Sequence, residues 1–265
     1  MMGSVLLSSC VNQSRDEASA NKRRANDVLM FSTLWFQKSA EASALFWQGY
    51  NLAKNQLQLE LIQRKKNRSH KKPAVILDLD ETVLDNSPYE ADLIFQDKDY
   101  PSGWDNWLDE AKAMSLPGAK EFLEFAQTHG VEIFYVSNRK VKSLDVTFKN
   151  LEKLELPVKK ENILLRVKES SKELRRQNIA KNYDVLLLLG DNLDDFSEIF
   201  ENKQLIERKQ NMEKARKEFG VHFIVFPNPM YGTWQAALYN YNFARSNLEK
   251  DQIHLNSLIT TDKVK

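Results

Sequence analysis

The chain has little that would staple it, span a membrane or repeat. Of its 265 residues only Cys10 is a cysteine, so no intramolecular disulfide can form and the core must hold the fold. No run of about eighteen or more apolar residues occurs, so no stretch is long and apolar enough to cross a bilayer as a helix. Neither charge sign dominates. The 38 Lys and Arg stand against 37 Asp and Glu, and that balance calls for neither nucleic acid nor an anionic membrane surface. Internal repeats and low-complexity tracts are also absent. The length allows one large domain or a core with a smaller appendage.

What is present is a concentration of carboxylates after one apolar run. Val75-Ile76-Leu77 has the β-branched, apolar character of a buried parallel strand, and such strands deliver functional groups at their carboxyl ends. Asp78 and Asp80 follow it, separated by Leu79. While strand geometry lasts, residues i and i+2 face the same way, so both carboxylates can address one small site. Two close negative charges call for a cation or a shared proton, and a divalent metal is the natural guest.

From Pro73 to Leu248, apolar strands alternate with amphipathic helices, the pattern of a parallel sheet covered on both faces. Strands are expected at 131–137, 163–167, 184–189 and 221–226, and helices at 118–128, 141–154, 171–182 and 231–248. Two insertions interrupt the pattern: 86–116, polar and aromatic without a clear strand, and 196–220, a charged helical segment. On the carboxyl side of a parallel sheet such insertions make lids or substrate walls.

Three further strand ends carry chemistry. Ser137-Asn138-Arg139 offers a hydroxyl, an amide and a guanidinium at an expected helix start, where free backbone N–H groups favour an anion. The segment from Lys168 to Arg176 is cationic, and a lysine there would offset the charge of a nucleophile and of a phosphoryl group in flight. Gly190 permits a tight turn before Asp191, which with Asp195 adds oxygen ligands for a hard cation such as magnesium. Taken singly, these features read as helix caps, a solvated face and an acidic helix start. Taken in chain order, they are the parts of metal-assisted phosphoryl transfer.

Outside the core, apolar and aromatic residues from Val28 to Ile62 recur at spacings of three and four, giving one long helix or two in a 28–72 supporting layer. The basic run Arg64 to Lys72 reads as a solvated linker, 11–27 as a flexible polar linker and 249–265 as a polar tail. Val5-Leu6-Leu7-Ser8-Ser9-Cys10 resembles a bacterial lipoprotein processing site. On that reading 1–10 is a shortened signal segment and Cys10 the lipidated residue, which places the protein at the bacterial outer membrane or its periplasmic face, with the cytoplasm as the alternative.

The order Asp78-x-Asp80, Ser137, lysine, Asp191 resembles the haloacid dehalogenase (HAD) superfamily of phosphohydrolases. Within it, the segments from Asp78 to Tyr89 and from Gly190 to Phe196 resemble the two signatures of the bacterial class C acid phosphatases. Ser137-Asn138-Arg139, Ser171-Lys172-Glu173 and the segment from Pro227 to Trp234 fit the same family. The resemblance implies a Rossmann-like α/β core with a smaller helical cap, and a magnesium-dependent phosphomonoesterase working through an aspartyl-phosphate. It makes Asp78 the nucleophile and Asp80 the acid and base. Magnesium is expected on Asp78, the backbone carbonyl of Asp80 and Asp191, with Asp195 orienting a water or a neighbouring group. Ser137, Asn138 and Arg139 are expected on the phosphoryl oxygens. Lys172 would pair with Asp78 and the phosphate; Lys168 is its rival, and the Ser-Lys-Glu context favours Lys172.

Trp104, Tyr89 and Tyr231 are candidates for an aromatic slot suited to 5′-nucleotides and aromatic phosphates, while Trp107 and Trp234 are assigned to core packing. The implied partners are a small phosphomonoester, no nucleic-acid polymer, the membrane where Cys10 is acylated, and a second copy in a homodimer. Two other readings stand beside this one: a HAD phosphatase of sugar or cofactor phosphates, and a catalytically idle surface lipoprotein that binds a nucleotide or a protein partner.

Overall fold

The apolar run ahead of Asp78 forms a strand whose last four residues are buried. The computed structural model describes residues 28–67 and 70–263, so the expectations for Cys10 and for 1–27 lie outside the described residues. The strands are β1 (Lys72–Leu77), β2 (Leu84–Asp85), β3 (Met114–Ser115), β4 (Glu132–Lys140), β5 (Ile163–Arg166), β6 (Tyr183–Gly190) and β7 (Phe223–Val225). Five of them make one sheet in the order β5-β4-β1-β6-β7, every pairing parallel.

The chain runs outward from β1 through β4 to β5, then returns to the other side for β6 and β7. Strand order therefore reverses beside β1, the place where open α/β sheets bind ligands. Asp78 donates its backbone N–H to Leu189 O at 2.9 Å, so the residues after β1 and β6 lie side by side at that switch point.

Alternation along β1 builds the two faces. Val75 and Leu77 join the larger core, while Ala74 and Ile76 face a smaller one with Phe134, Val136 and Ile179. The helices are α1 (28–38), α2 (Ala40–Asn67), α3 (Ser87–Gln96), α4 (Trp104–Glu110), α5 (Ala119–Thr128), α6 (Leu144–Lys153), α7 (Glu173–Asn182), α8 (Leu205–Lys214), α9 (Thr233–Leu238) and α10 (Asn247–Ser257). The N-terminal layer is two helices, divided at Ser39, whose Oγ accepts the Ala42 N–H at 3.0 Å as a cap. Along α2, Ala42, Phe46, Gly49, Tyr50, Ala53 and Leu57 are buried. A Cβ on Gly49 would lie 2.5 Å from the Phe226 ring, so only glycine lets the helix approach so closely. Tyr50 OH donates to the buried Thr82 carbonyl at 2.6 Å and ties α2 to the loop that carries the Asp pair.

Several expectations are corrected. The basic run is not wholly linker, because α2 continues to Asn67 and Arg64 pairs with Asp184; basic residues suit a last helical turn, where the backbone carbonyls concentrate negative charge. Ser137-Asn138-Arg139 does not start a helix: β4 runs on to Lys140, which pairs with Arg166, and α6 begins only at Leu144. The 86–116 insertion does contain a strand, β3, which pairs antiparallel with β2 and closes the insertion at its base, with α3 and α4 between them.

The single helix expected at 231–248 is broken after α9, where Asn240 and Tyr241 take φ values of 52° and 59°. The stretch 249–265 is not simply a polar tail, since α10 starts from a Ser246/Glu249 capping box and buries Asp251. Tyr239 OH meets His254 Nε2 at 2.6 Å and docks α10 on the residue after α9.

Candidate active site

Four loops meet at the carboxyl ends of β1, β4 and β6 and the start of α7. Lys172, at the N-terminal cap of α7, places its Nζ 2.6 Å from Asp78 Oδ1 and 2.6 Å from Asp195 Oδ1. Its side chain is 6% exposed, whereas Lys168 lies exposed on the loop after β5. Gly190 is not there for a left-handed turn. A Cβ on it would lie 2.4 Å from Asp195 Oδ2, so its missing side chain makes room for that carboxylate. Asp195 Oδ2 also accepts the Asn192 N–H at 3.0 Å, closing a capping box.

Asp78, Asp191 and Asp195 each present a carboxylate oxygen, all within 4.8 Å of one another. Burial, opposed by Lys172 and reinforced by Asp195 and Asp80, pushes the Asp78 carboxyl up to about 7. Burial, Asp195 and Asp78 likewise hold the Asp191 carboxyl well above its usual range, against the opposing pull of Asn228 and Lys172. Burial works against the Lys172 charge, but Asp195 and Asp78 outweigh it and hold the ammonium above its ordinary value. Three carboxylates around one ammonium leave negative charge uncompensated, and an all-oxygen donor set fits a hard divalent cation such as magnesium. Asn228 Nδ2 orients Asp191 by donating to Oδ2 at 2.8 Å, a partnership that the Pro227 to Trp234 segment does not reveal from residue type or spacing.

Asp80 faces another way. Its Oδ1 accepts from Arg139 Nη2 at 2.7 Å, Asn86 Nδ2 at 2.8 Å and Arg139 Nε at 2.9 Å; Oδ2 has longer contacts, to Arg139 Nε at 3.3 Å and Ser137 Oγ at 3.4 Å. Arg139, expected on a phosphate, therefore has a different partner in this structure. The extended path of β4 through Arg139 permits this, because a helix beginning there would turn the side chain elsewhere. Asn138 is exposed and accepts from Arg175 Nη2 at 2.7 Å, while Arg175 Nη1 donates to Ser137 O at 2.7 Å. Arg175 thus braces the strand end, a role that spacing alone does not reveal.

The turn between Asp80 and β2 is set by Glu81, wholly buried at φ 56°, whose Oε1 accepts the Asn86 N–H at 2.8 Å. Nearby in α3, Glu90 is buried, and burial pushes its carboxyl up to about 7. Its folded-state value lies above the ordinary 4.5, so the folded protein retains a proton the unfolded chain gives up, and stability from this group is lost as pH rises from about 4.5 to 7. Glu90→Gln should therefore have its smallest effect at pH 4.5, with the variant gaining up to ~3 kcal/mol on wild type by pH 8. Urea unfolding at both pH values measures the difference; an equal difference at both would refute it.

The aromatic candidates separate. Tyr89 and Trp104 meet edge to face at 5.0 Å, Tyr100 lies 6.0 Å from Trp104, and the Arg139 guanidinium stands 5.8 Å from the Trp104 ring. Tyr89 is buried, its OH donating to Ser102 O at 3.0 Å, so Trp104 and the exposed Tyr100 are the open faces of the cluster. Tyr231 packs half-buried against the main core. Trp107 does pack against that core, but Trp234 is 41% exposed and donates to Tyr231 O, which corrects its assignment to core packing.

The family model for the HAD superfamily, subfamily IIIB (Acid phosphatase), matches residues 6–234. The structure of a class C acid phosphatase from Bacillus anthracis is 44% identical, with a TM-score of 0.85, covering 89% of this chain and 99% of that one. A second structure of a class C acid phosphatase from Bacillus anthracis, with tungstate bound, matches with the same identity, TM-score and coverage.

Proposed function

The chain belongs to the acid phosphatases of HAD subfamily IIIB, of the class C type, and is a phosphomonoesterase; from that premise we propose that it is magnesium-dependent and works through a phosphorylated Asp78. The observation that carries this reading is the placement of Asp78 at the switch point, against Lys172 and within 4.8 Å of Asp191 and Asp195.

Asp78 attacks phosphorus, and the bond to the ester oxygen breaks with its electron pair leaving on that oxygen, to which Asp80 gives its proton. Asp80 then takes a proton from water as the water oxygen attacks the aspartyl-phosphate. Asp78 leaves as a carboxylate, and inorganic phosphate is released with Asp80 protonated again. Lys172 balances the charge gathered on Asp78 and the phosphoryl oxygens. Asp78, Asp191 and Asp195 would hold the cation with the Asp80 backbone carbonyl, and when bound it neutralises the carboxylates and the developing phosphoryl charge.

Substrate choice on this reading favours 5′-nucleotides and aromatic phosphates, supported by the open faces of Trp104 and Tyr100 beside Arg139. Exhaustive chelation should lower release of phosphate from nitrophenyl phosphate by about a thousandfold, and magnesium should restore it. Undiminished turnover after chelation would overturn the metal dependence while leaving the phosphatase assignment in place.

A further inference from the structure

The network around Asp80 treats its two oxygens unequally and extends into the first insertion. Asn86, wholly buried, donates its Nδ2 to Asp80 Oδ1 at 2.8 Å and accepts at Oδ1 from Trp107 Nε1 at 2.9 Å. An indole N–H can only donate, so Trp107 supplies the one short hydrogen bond to the Asn86 carbonyl, with Arg139 Nη2 farther off at 3.5 Å, and the Asn86 NH₂ is turned to Asp80 and, at 3.5 Å, to Glu81 Oε2. The Asn86 backbone N–H, held by Glu81 Oε1 at 2.8 Å, fixes the same residue from the other side. Asp80 Oδ1 is then filled by three short donors, which leaves Oδ2, with its two contacts of 3.3 and 3.4 Å, as the oxygen able to carry a proton.

We infer that Trp107, through the orientation it imposes on Asn86, is a positioning residue that assigns the proton-carrying role to Asp80 Oδ2 and couples the α4 insertion to acid–base chemistry. This rests on the reading of Asp80 as proton donor. Trp107 lies on α4 and Asn86 at the base of the insertion, so the same indole that packs against the core reports the placement of α4 to the carboxylate. Without that N–H, only the two 3.5 Å contacts, from Arg139 Nη2 and to Glu81 Oε2, oppose rotation of the Asn86 carbonyl toward Asp80. A carbonyl there accepts the Asp80 proton on Oδ1 and withholds it from the leaving group.

The test uses the full-length, magnesium-loaded protein with two esters, nitrophenyl phosphate and an alkyl phosphate, whose poor leaving group depends on protonation. Trp107→Phe, and 3-benzothienylalanine at the same position, which retains the bicyclic shape and lacks the N–H, should lower kcat for the alkyl ester about tenfold. They should leave kcat for the nitrophenyl ester and both KM values within about twofold, and in an Asp80→Asn background add no further loss. Equal losses on both esters, a change in KM alone, no effect, or full additivity with Asp80→Asn would each overturn the proposal. Asp80→Asn measured alone tests the underlying reading separately. If that variant slows both esters equally, Asp80 is not the donor; if it slows the alkyl ester selectively while the Trp107 variants do not, only the positioning role fails.

Discussion

Asp78→Asn should remove phosphatase turnover by about four orders of magnitude or more while the protein stays folded. The amide keeps the shape of the carboxylate but has no anionic oxygen to attack phosphorus, so the aspartyl-phosphate cannot form. Folding should survive because two effects oppose each other. The substitution removes a carboxylate that burial disfavours, raising it to about 7, and it also removes one of the two ion pairs that Lys172 makes. Lys172 retains Asp195 at 2.6 Å. Nitrophenyl phosphate assays beside circular-dichroism melts read both quantities, and wild-type rates in the variant would sink the nucleophile assignment.

Lys172→Met is expected to damage both stability and activity. The thioether preserves length without charge and leaves Asp78 and Asp195, 11% and 6% exposed, with no ammonium between them. Removing one member of a buried ion pair costs about 3–5 kcal/mol, roughly 10 °C in melting temperature for a chain of this size. The pH dependence has a definite sign. Losing Lys172 removes the positive charge that lowers the Asp78 and Asp191 carboxyls, so both move further above their unfolded values. The folded state then binds more protons than the unfolded chain, and stability falls as pH rises through that range. Urea unfolding in the presence of chelator should show a larger loss at pH 8 than at pH 5. An equal or absent loss would show that the ammonium does not balance the three carboxylates.

Short-range features of this chain are legible in its sequence, and long-range ones are not. The β1 run, the carboxylates that follow it and the Ser-Lys-Glu context of Lys172 are contiguous in sequence, and strand period and strand-end chemistry act over a few residues. The break between α9 and α10 is less visible, because Asn240 and Tyr241 adopt left-handed backbone in a stretch with enough apolar residues to look helical. Gly190 stands out in the sequence as a turn residue, yet what requires it is the Asp195 carboxylate that fills its side-chain space, a neighbour set by the fold of the loop. Trp107 packs against the core as its helical spacing implies, yet its N–H is committed to Asn86, a partner 21 residues away that periodicity does not encode.

By itself, then, the sequence determined the parallel α/β architecture, the family and the residues of the candidate site, because each is written in short-range patterns of polarity and residue type. Only the tertiary structure decided which partners those residues meet. Asp78 and Asp195 converge on Lys172 with the Asp191 carboxylate beside them, while Asp80 turns to Arg139 and Asn86. Leu79 alone separates Asp78 from Asp80, yet different partners claim them, because the reversal of strand order beside β1 brings β6 to one side of that strand end and β4 to the other.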